Sequence, residues 1–233
     1  MHVLSNSGLL TLWEQGSTLH PLDQGLLALT AALPDQKQDR IADWPLGRRN
    51  RALAELHCSC FGSTLQAWTS CPSCDEKMEF EIDVRTLMSE APDTGATIEV
   101  AGQSFRLPTS RDLAQATGEP NPLAAANRLL LRCRLGAEEC PTLSDEELEL
   151  VGDKMALADP MAELRFSLLC PVCSHQWDET LDIARFLWAE IDARARRLLW
   201  EIHNVASAYG WTEAEILSLS ATRRARYMEM IRA

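Results

Sequence analysis

The chain has 233 residues, 46% of them hydrophobic, which places it among folded proteins of one large or two small domains and not among disordered chains. Its formal net charge of -12 opposes docking on nucleic acid or an anionic membrane, and no apolar run is long enough to span a bilayer. The charge is uneven: residues 184 to 233 hold eight arginines and six carboxylates, a balance of +2, which leaves -14 for residues 1 to 183. The start lacks the basic residues and apolar core of a signal peptide, so a cytoplasmic protein is expected. In that reducing compartment eight cysteines read as metal ligands or buried thiols, not disulfides.

In chain order, Leu9, Leu10, Leu12 and Trp13 suggest a short strand or a docking segment. Pro21 opens a helix over DQGLLALTAAL that ends at Pro34, and RRNRALAELHCSCFG predicts a second, with Leu53, Leu56 and Cys60 as its stripe and Gly62 as its stop. Cys71-Pro-Ser-Cys74 follows. Behind it Met78, Phe80, Ile82 and Val84 alternate with Glu79, Glu81 and Asp83, the period-two pattern of a half-buried strand.

Between the knuckles, ATIEVAGQSFRLP reads as a hairpin, Ile98 and Val100 against Phe105 and Leu107, with Ala101-Gly102-Gln103 at the turn. Thr109-Ser110 caps RDLAQAT, with Asp112 in its first turn. Pro120 and Pro122 punctuate LAAANRLLLRC, and Ser144 to Glu147 is a capping box for a helix through Leu148, Val151 and Met155. Cys133 and Cys140 lie near these helices and read as core or surface thiols.

Cys170-Pro-Val-Cys173 repeats the first knuckle. The residues after it match in register: Met78 with Trp177, Ile82 with Leu181, Asp83 with Asp182, Val84 with Ile183, Leu87 with Phe186. Glu179 interrupts the apolar face of this second copy. From Asp182, a plausible N-cap, the longest helical pattern runs to Tyr209 on Leu187, Ile191, Leu198, Ile202 and Val205. Gly210 stops it, Thr212 to Glu215 boxes a short helix, and Ser220 caps the last one.

Two cysteines two residues apart both reach one tetrahedral ion, and a second such pair completes a four-thiolate shell. The expectation is one structural zinc held by Cys71, Cys74, Cys170 and Cys173. Cys-Pro-x-Cys also resembles a glutaredoxin-like dithiol, but that chemistry wants the first cysteine at a helix N-terminus, whereas strand patterns follow here. His57, Cys58 and Cys60 form an alternative local set with Cys71 and Cys74, and His175 is a further candidate ligand or donor to one. No phosphate-cradling loop, Gly-x-Ser-x-Gly elbow or His-Glu-x-x-His is present, so no enzyme and no small-molecule substrate are expected.

Three stretches, CPSCDEKMEFEIDV, FRLPTSRDL and the run from CPVCSHQW to YMEMI, resemble baseplate and hub assembly proteins of contractile phage tails and related bacterial contractile injection systems. The resemblance covers about residues 60 to 233. It implies a structural or chaperone-like protein without chemistry of its own, whose partners are other tail or baseplate proteins and not nucleic acid or membrane. The expected architecture is α+β, mostly helical, with zinc-ribbon-like knuckles and short antiparallel strands. Its segments are an N-terminal helical segment (1–63), a zinc-knuckle domain with a hairpin and helical insertion (64–183), and a long helix plus two short ones (184–233). Trp188, Trp200, Tyr209, Trp211 and Arg223 are the candidate partner contacts, unless the aromatics pack inside. A dithiol oxidoreductase and a zinc-containing DNA-binding regulator are the alternatives, the two short helices after Gly210 being the feature that suggests DNA.

Overall fold

A computed structural model describes residues 1–88, 95–136 and 144–232. The chain is α+β and mostly helical. It opens with α1 (Asn6–Gly16), α2 (Pro21–Ala32), α3 (Gln38–Ala42) and α4 (Leu46–Phe61). The run around Leu9 to Trp13 is therefore helical, not a strand: the Ser5 side chain accepts the Gly8 N–H as its cap, and Leu9, Leu10 and Leu12 are buried. A short apolar run does not distinguish the two by periodicity alone.

The first knuckle lies between β1 (Thr64–Ser70) and β2 (Lys77–Asp83), an antiparallel hairpin in register from Thr64 opposite Asp83 to Ser70 opposite Lys77. Asp83 ends the strand by accepting the Arg85 N–H, and Val84 begins α5 (Val84–Leu87) instead of extending β2. β3 (Thr97–Val100) and β4 (Gln103–Arg106) form the expected hairpin, with Ala101 and Gly102 at positive φ in its turn. α6 (Ser110–Ala116) and α7 (Pro122–Cys133) lead to β5 (Arg134–Leu135), a third strand on β4, and then comes α8 (Asp145–Ala158). Val100, Phe105, Leu107, Cys133, Val151 and Met155 make a small core of their own within this stretch.

β6 (Leu164–Leu169) and β7 (Gln176–Leu181) form the second knuckle hairpin. It feeds α9 (Ile183–Tyr209), capped by Asp182 on the N–H groups of Ala184 and Arg185. The main core gathers α1, α2, α4, β1, the ends of β6 and β7, and α9. Gly16 is where α1 passes Trp188, so closely that a Cβ there would come within 2.2 Å of the indole, and Trp13 Nε1 donates to Asp192 at 2.7 Å. α10 (Glu213–Ser218) and α11 (Ala221–Arg232) fold back on α9. The fully buried Arg224 holds them by donating to Glu201 at 3.0 Å and to the Leu219 carbonyl at 2.6 Å.

The start of α4 ties the chain returning from residues 84–163 to the helical core. Asp159 accepts the Gly47 N–H at 2.8 Å, Asn50 donates to the carbonyls of Met161 and Ala162, and the Leu46 N–H reaches the Pro108 carbonyl at 3.0 Å. Asp159 thus serves an orphan donor in the first turn of α4. A Cβ on Gly47 would stand 1.6 Å from its Oδ1. Gly47→Ala is therefore expected to lower unfolding free energy by on the order of 3 kcal/mol in urea titration, whereas Gly152→Ala, in open space on α8, should be neutral or stabilising.

Asp112 closes the capping box of α6 and receives Arg106 at 2.6 and 2.9 Å and Arg132 at 3.2 Å. Burial alone would raise its carboxyl. The Arg106 and Thr109 hydrogen bonds outweigh burial and hold it at about 2. A depressed carboxyl contributes stability above its unfolded pKa and loses it as pH falls through the folded value. Wild type should exceed Asp112→Asn by about 2 kcal/mol near neutrality, and the gap should shrink as pH drops from about 4 to about 2, read by denaturant unfolding at each pH.

Candidate metal centre

Each Cys-Pro-x-Cys is the tight turn of a hairpin, and the two turns are built alike. The Cys71 N–H donates to the Glu76 carbonyl and the Asp75 N–H to the Cys71 carbonyl, both at 2.9 Å. In the second copy the Cys170 N–H reaches His175 at 2.9 Å and the Ser174 N–H reaches Cys170 at 3.0 Å. Asp75 and Ser174 close the turns at φ of 59° and 58°, a left-handed conformation that a short polar residue tolerates. Pro72 and Pro171 supply fixed φ without costing a ladder hydrogen bond.

The hairpins face each other across Phe80 and Phe166, whose ring centroids are 5.4 Å apart. Glu179, which broke the apolar pattern, lies in the place Phe80 holds in the first copy. It accepts from Thr69 of the opposite hairpin at 3.1 Å and from Trp177 Nε1 at 3.4 Å. A polar group in this half-buried layer is thereby satisfied, and it ties one hairpin to the other.

This stacking brings the sulfurs of Cys71, Cys74, Cys170 and Cys173 within 4.8 Å of one another. The closest pairs cross between knuckles: Cys71 to Cys173 and Cys74 to Cys170, each 3.6 Å. Exchanging the two copies maps one pair onto the other, so the cluster has local two-fold character. With metal–sulfur bonds of about 2.3 Å, tetrahedral ligand sulfurs stand roughly 3.8 Å apart, and these spacings fit that shell. Cys71 and Cys170 are buried; Cys74 and Cys173 are exposed. The N–H groups of Cys173 and Val172, against the opposing effect of burial, bring the Cys170 thiol down to about 7. For Cys74 the Glu76 N–H favours the thiolate, yet the neighbouring sulfurs push it up to about 12, so the metal-free cluster gives up its protons in separate steps.

The alternative ligands and the remaining thiols lie elsewhere. Cys58 and Cys60 are half-buried on α4 and packed against the main core. His57 is buried on α4, and His175 stacks on Trp177 at 6.0 Å. Cys133 is buried beside Arg106, its thiol pushed up to about 12 by burial and by Asp112, and Cys140 lies outside the described residues.

Of the partner-contact candidates, Trp188 packs half-buried on Gly16, and Trp200 is 47% exposed with the Arg232 guanidinium 5.0 Å above its ring. Tyr209 and Trp211 join Tyr227 in one aromatic cluster, centroids 4.9 to 5.5 Å apart. Arg223 is exposed. Its neighbour Arg224 is the buried one, and the local alternation of charges did not separate them.

No family model, characterised protein or solved structure matches this chain. Among the described residues no helix is long and apolar enough to cross a membrane.

In the protein as purified, the buried Cys133 should react with a maleimide only at the rate of global unfolding, by mass spectrometry of timed quenches. Early labelling of Cys133 would contradict its burial.

Proposed function

We propose that the four-cysteine cluster holds one zinc ion as a structural centre. On this reading the chain is a non-enzymatic component or assembly factor of a contractile tail or injection-system baseplate, acting in the cytoplasm where such a particle is built. The observation that supports the metal is the convergence of two matched knuckles into one closed set of four sulfurs at tetrahedral spacing. Soft thiolates in tetrahedral array suit zinc, and four of them leave no position for a reacting water. The ion then contributes folding free energy directly. The dithiol reading is less favoured because each knuckle leads into a strand, β2 or β7, so no helix N-terminus activates its first cysteine. The DNA reading is opposed by the charge of the chain and by the use of Arg224 inside the fold.

The assembly half of the proposal rests on the three stretches that resemble baseplate proteins. Trp200 and Arg223 face outward on the C-terminal helices.

Elemental analysis of protein purified without added metal should give about one zinc per chain. Cys71→Ser and Cys170→Ser should each lose it, with loss of cooperative unfolding. Zinc lost in one variant and kept in the other would mean two separate sites; no metal together with a fast-reacting thiol would bring the redox reading forward. The assembly role is tested by affinity capture of the tagged chain during particle production. Recovery of baseplate proteins is expected, and particles and subassemblies that consistently lack the chain would sink that role.

A further inference from the structure

A cleft lies at the far end of the β6–β7 hairpin from the sulfurs. It holds about 300 Å³ between the start of α2, one face of α4, the start of β6 and the turn from β7 into α9. Arg49 forms part of its wall and is 8% exposed. A guanidinium withdrawn from water is ordinarily matched by a carboxylate in contact. Arg49 donates instead to neutral acceptors: Nε and Nη2 to Asn50 Oδ1 at 3.1 and 2.8 Å, and Nη1 to Ser110 Oγ at 3.2 Å.

Among the described residues Arg49 makes no ion pair. Three of its five N–H groups are thus engaged, leaving one on each terminal nitrogen. Asp182 shares the wall and attracts Arg49 at longer range, but its Oδ1 is occupied by the N–H groups of Ala184 and Arg185, both at 3.1 Å. Glu163 at the rim is paired with Arg165 at 2.7 Å. Burial outweighs the pull of Asp182 and brings Arg49 below its usual range.

The rest of the lining suits an amphipathic acid. Leu22, Leu113, Leu164 and Ile183 are apolar. His20 at the mouth accepts the Leu22 N–H on Nδ1 at 3.3 Å, which leaves Nε2 as its donor. We infer that this cleft binds a small organic carboxylate, its anion on the free N–H groups of Arg49 and its apolar body against Leu22, Leu113 and Leu164. A guanidinium fork matches a planar carboxylate in two parallel hydrogen bonds, and the volume lies at the small end of ligand pockets.

The test is calorimetric and NMR titration of the metal-loaded chain with benzoate, benzamide, acetate and inorganic phosphate. Thr180 is exposed at the mouth, so Thr180→Trp blocks the cleft without disturbing the core. Saturable binding of benzoate but not benzamide is expected, abolished in Thr180→Trp and weakened roughly tenfold or more in Arg49→Met. Should Arg49→Met fail to fold, Arg49→Lys, which keeps charge without the fork, should still weaken benzoate, and Thr180→Trp decides the location. No saturable benzoate binding, equal binding of benzamide, binding of phosphate in its place, or benzoate binding retained in Thr180→Trp would each overturn the inference.

Discussion

The structure depends on bringing Cys71 and Cys74 against Cys170 and Cys173 across nearly a hundred residues of chain. The two cross-knuckle sulfur contacts of 3.6 Å exist only if the hairpins stack in one register. Closing so long a loop carries an entropic cost that grows slowly with length, so the sequence between the knuckles is free to expand provided its ends are held. They are held twice. Sulfurs and the Thr69–Glu179 hydrogen bond fix the hairpin tips, while Asp159 on Gly47 and Asn50 on Met161 and Ala162 fix the returning chain to α4. Both ties matter to the hairpins, because a two-stranded hairpin is marginal in water and needs a partner surface.

The same logic explains why the two copies of the repeat diverge after their matched caps. Asp83 and Asp182 both end a strand by accepting the N–H groups of the helix that follows, and both are succeeded by a buried residue, Val84 or Ile183. In the first copy the helix stops after one turn and the chain departs into a small body centred on Phe105, Leu107 and Val151. That body has a modest apolar core. It is reinforced by a polar one, with Asp112 gathering Arg106, Arg132 and Thr109. In the second copy the helix continues for 27 residues and becomes the column on which α1, α2, α4, α10 and α11 pack.

Local signals were legible and non-local ones were not. The cysteine knuckles, the β3–β4 hairpin, the capping boxes at Ser144 and Thr212 and the long helix from Asp182 to Tyr209 are each written within a few neighbouring residues. β1 and β6 were not anticipated. In TLQAWTS the largest apolar residue, Trp68, faces water while small Ala67 faces the layer, which hides the period-two pattern. LRFSLL places Leu169 outside as well. Glu179 looked like a break in the repeat because its partner, Thr69, belongs to the other copy. Arg224 and Arg223 are indistinguishable until α11 is docked, when one meets Glu201 and the other solvent. The four-sulfur cluster was readable for the opposite reason: repetition supplies in sequence the evidence that contacts supply in space.

The β6–β7 hairpin joins the two features of this chain that are rich in chemistry. Its tip carries Cys170 and Cys173, and its open end, at Leu164 and Thr180 to Asp182, forms a wall of the cleft beside Arg49. Six paired residues rise about 20 Å, so the sites do not touch, but they share one register. A slip of one residue would turn Leu164 and Leu181 out of the core, withdraw Cys170 from Cys74, and move the Asp182 cap away from α9 together. The four-sulfur cluster therefore does more than close a loop. By fixing the tip it fixes which residues face inward along the whole hairpin, and with them the start of the helix that organises the rest of the fold.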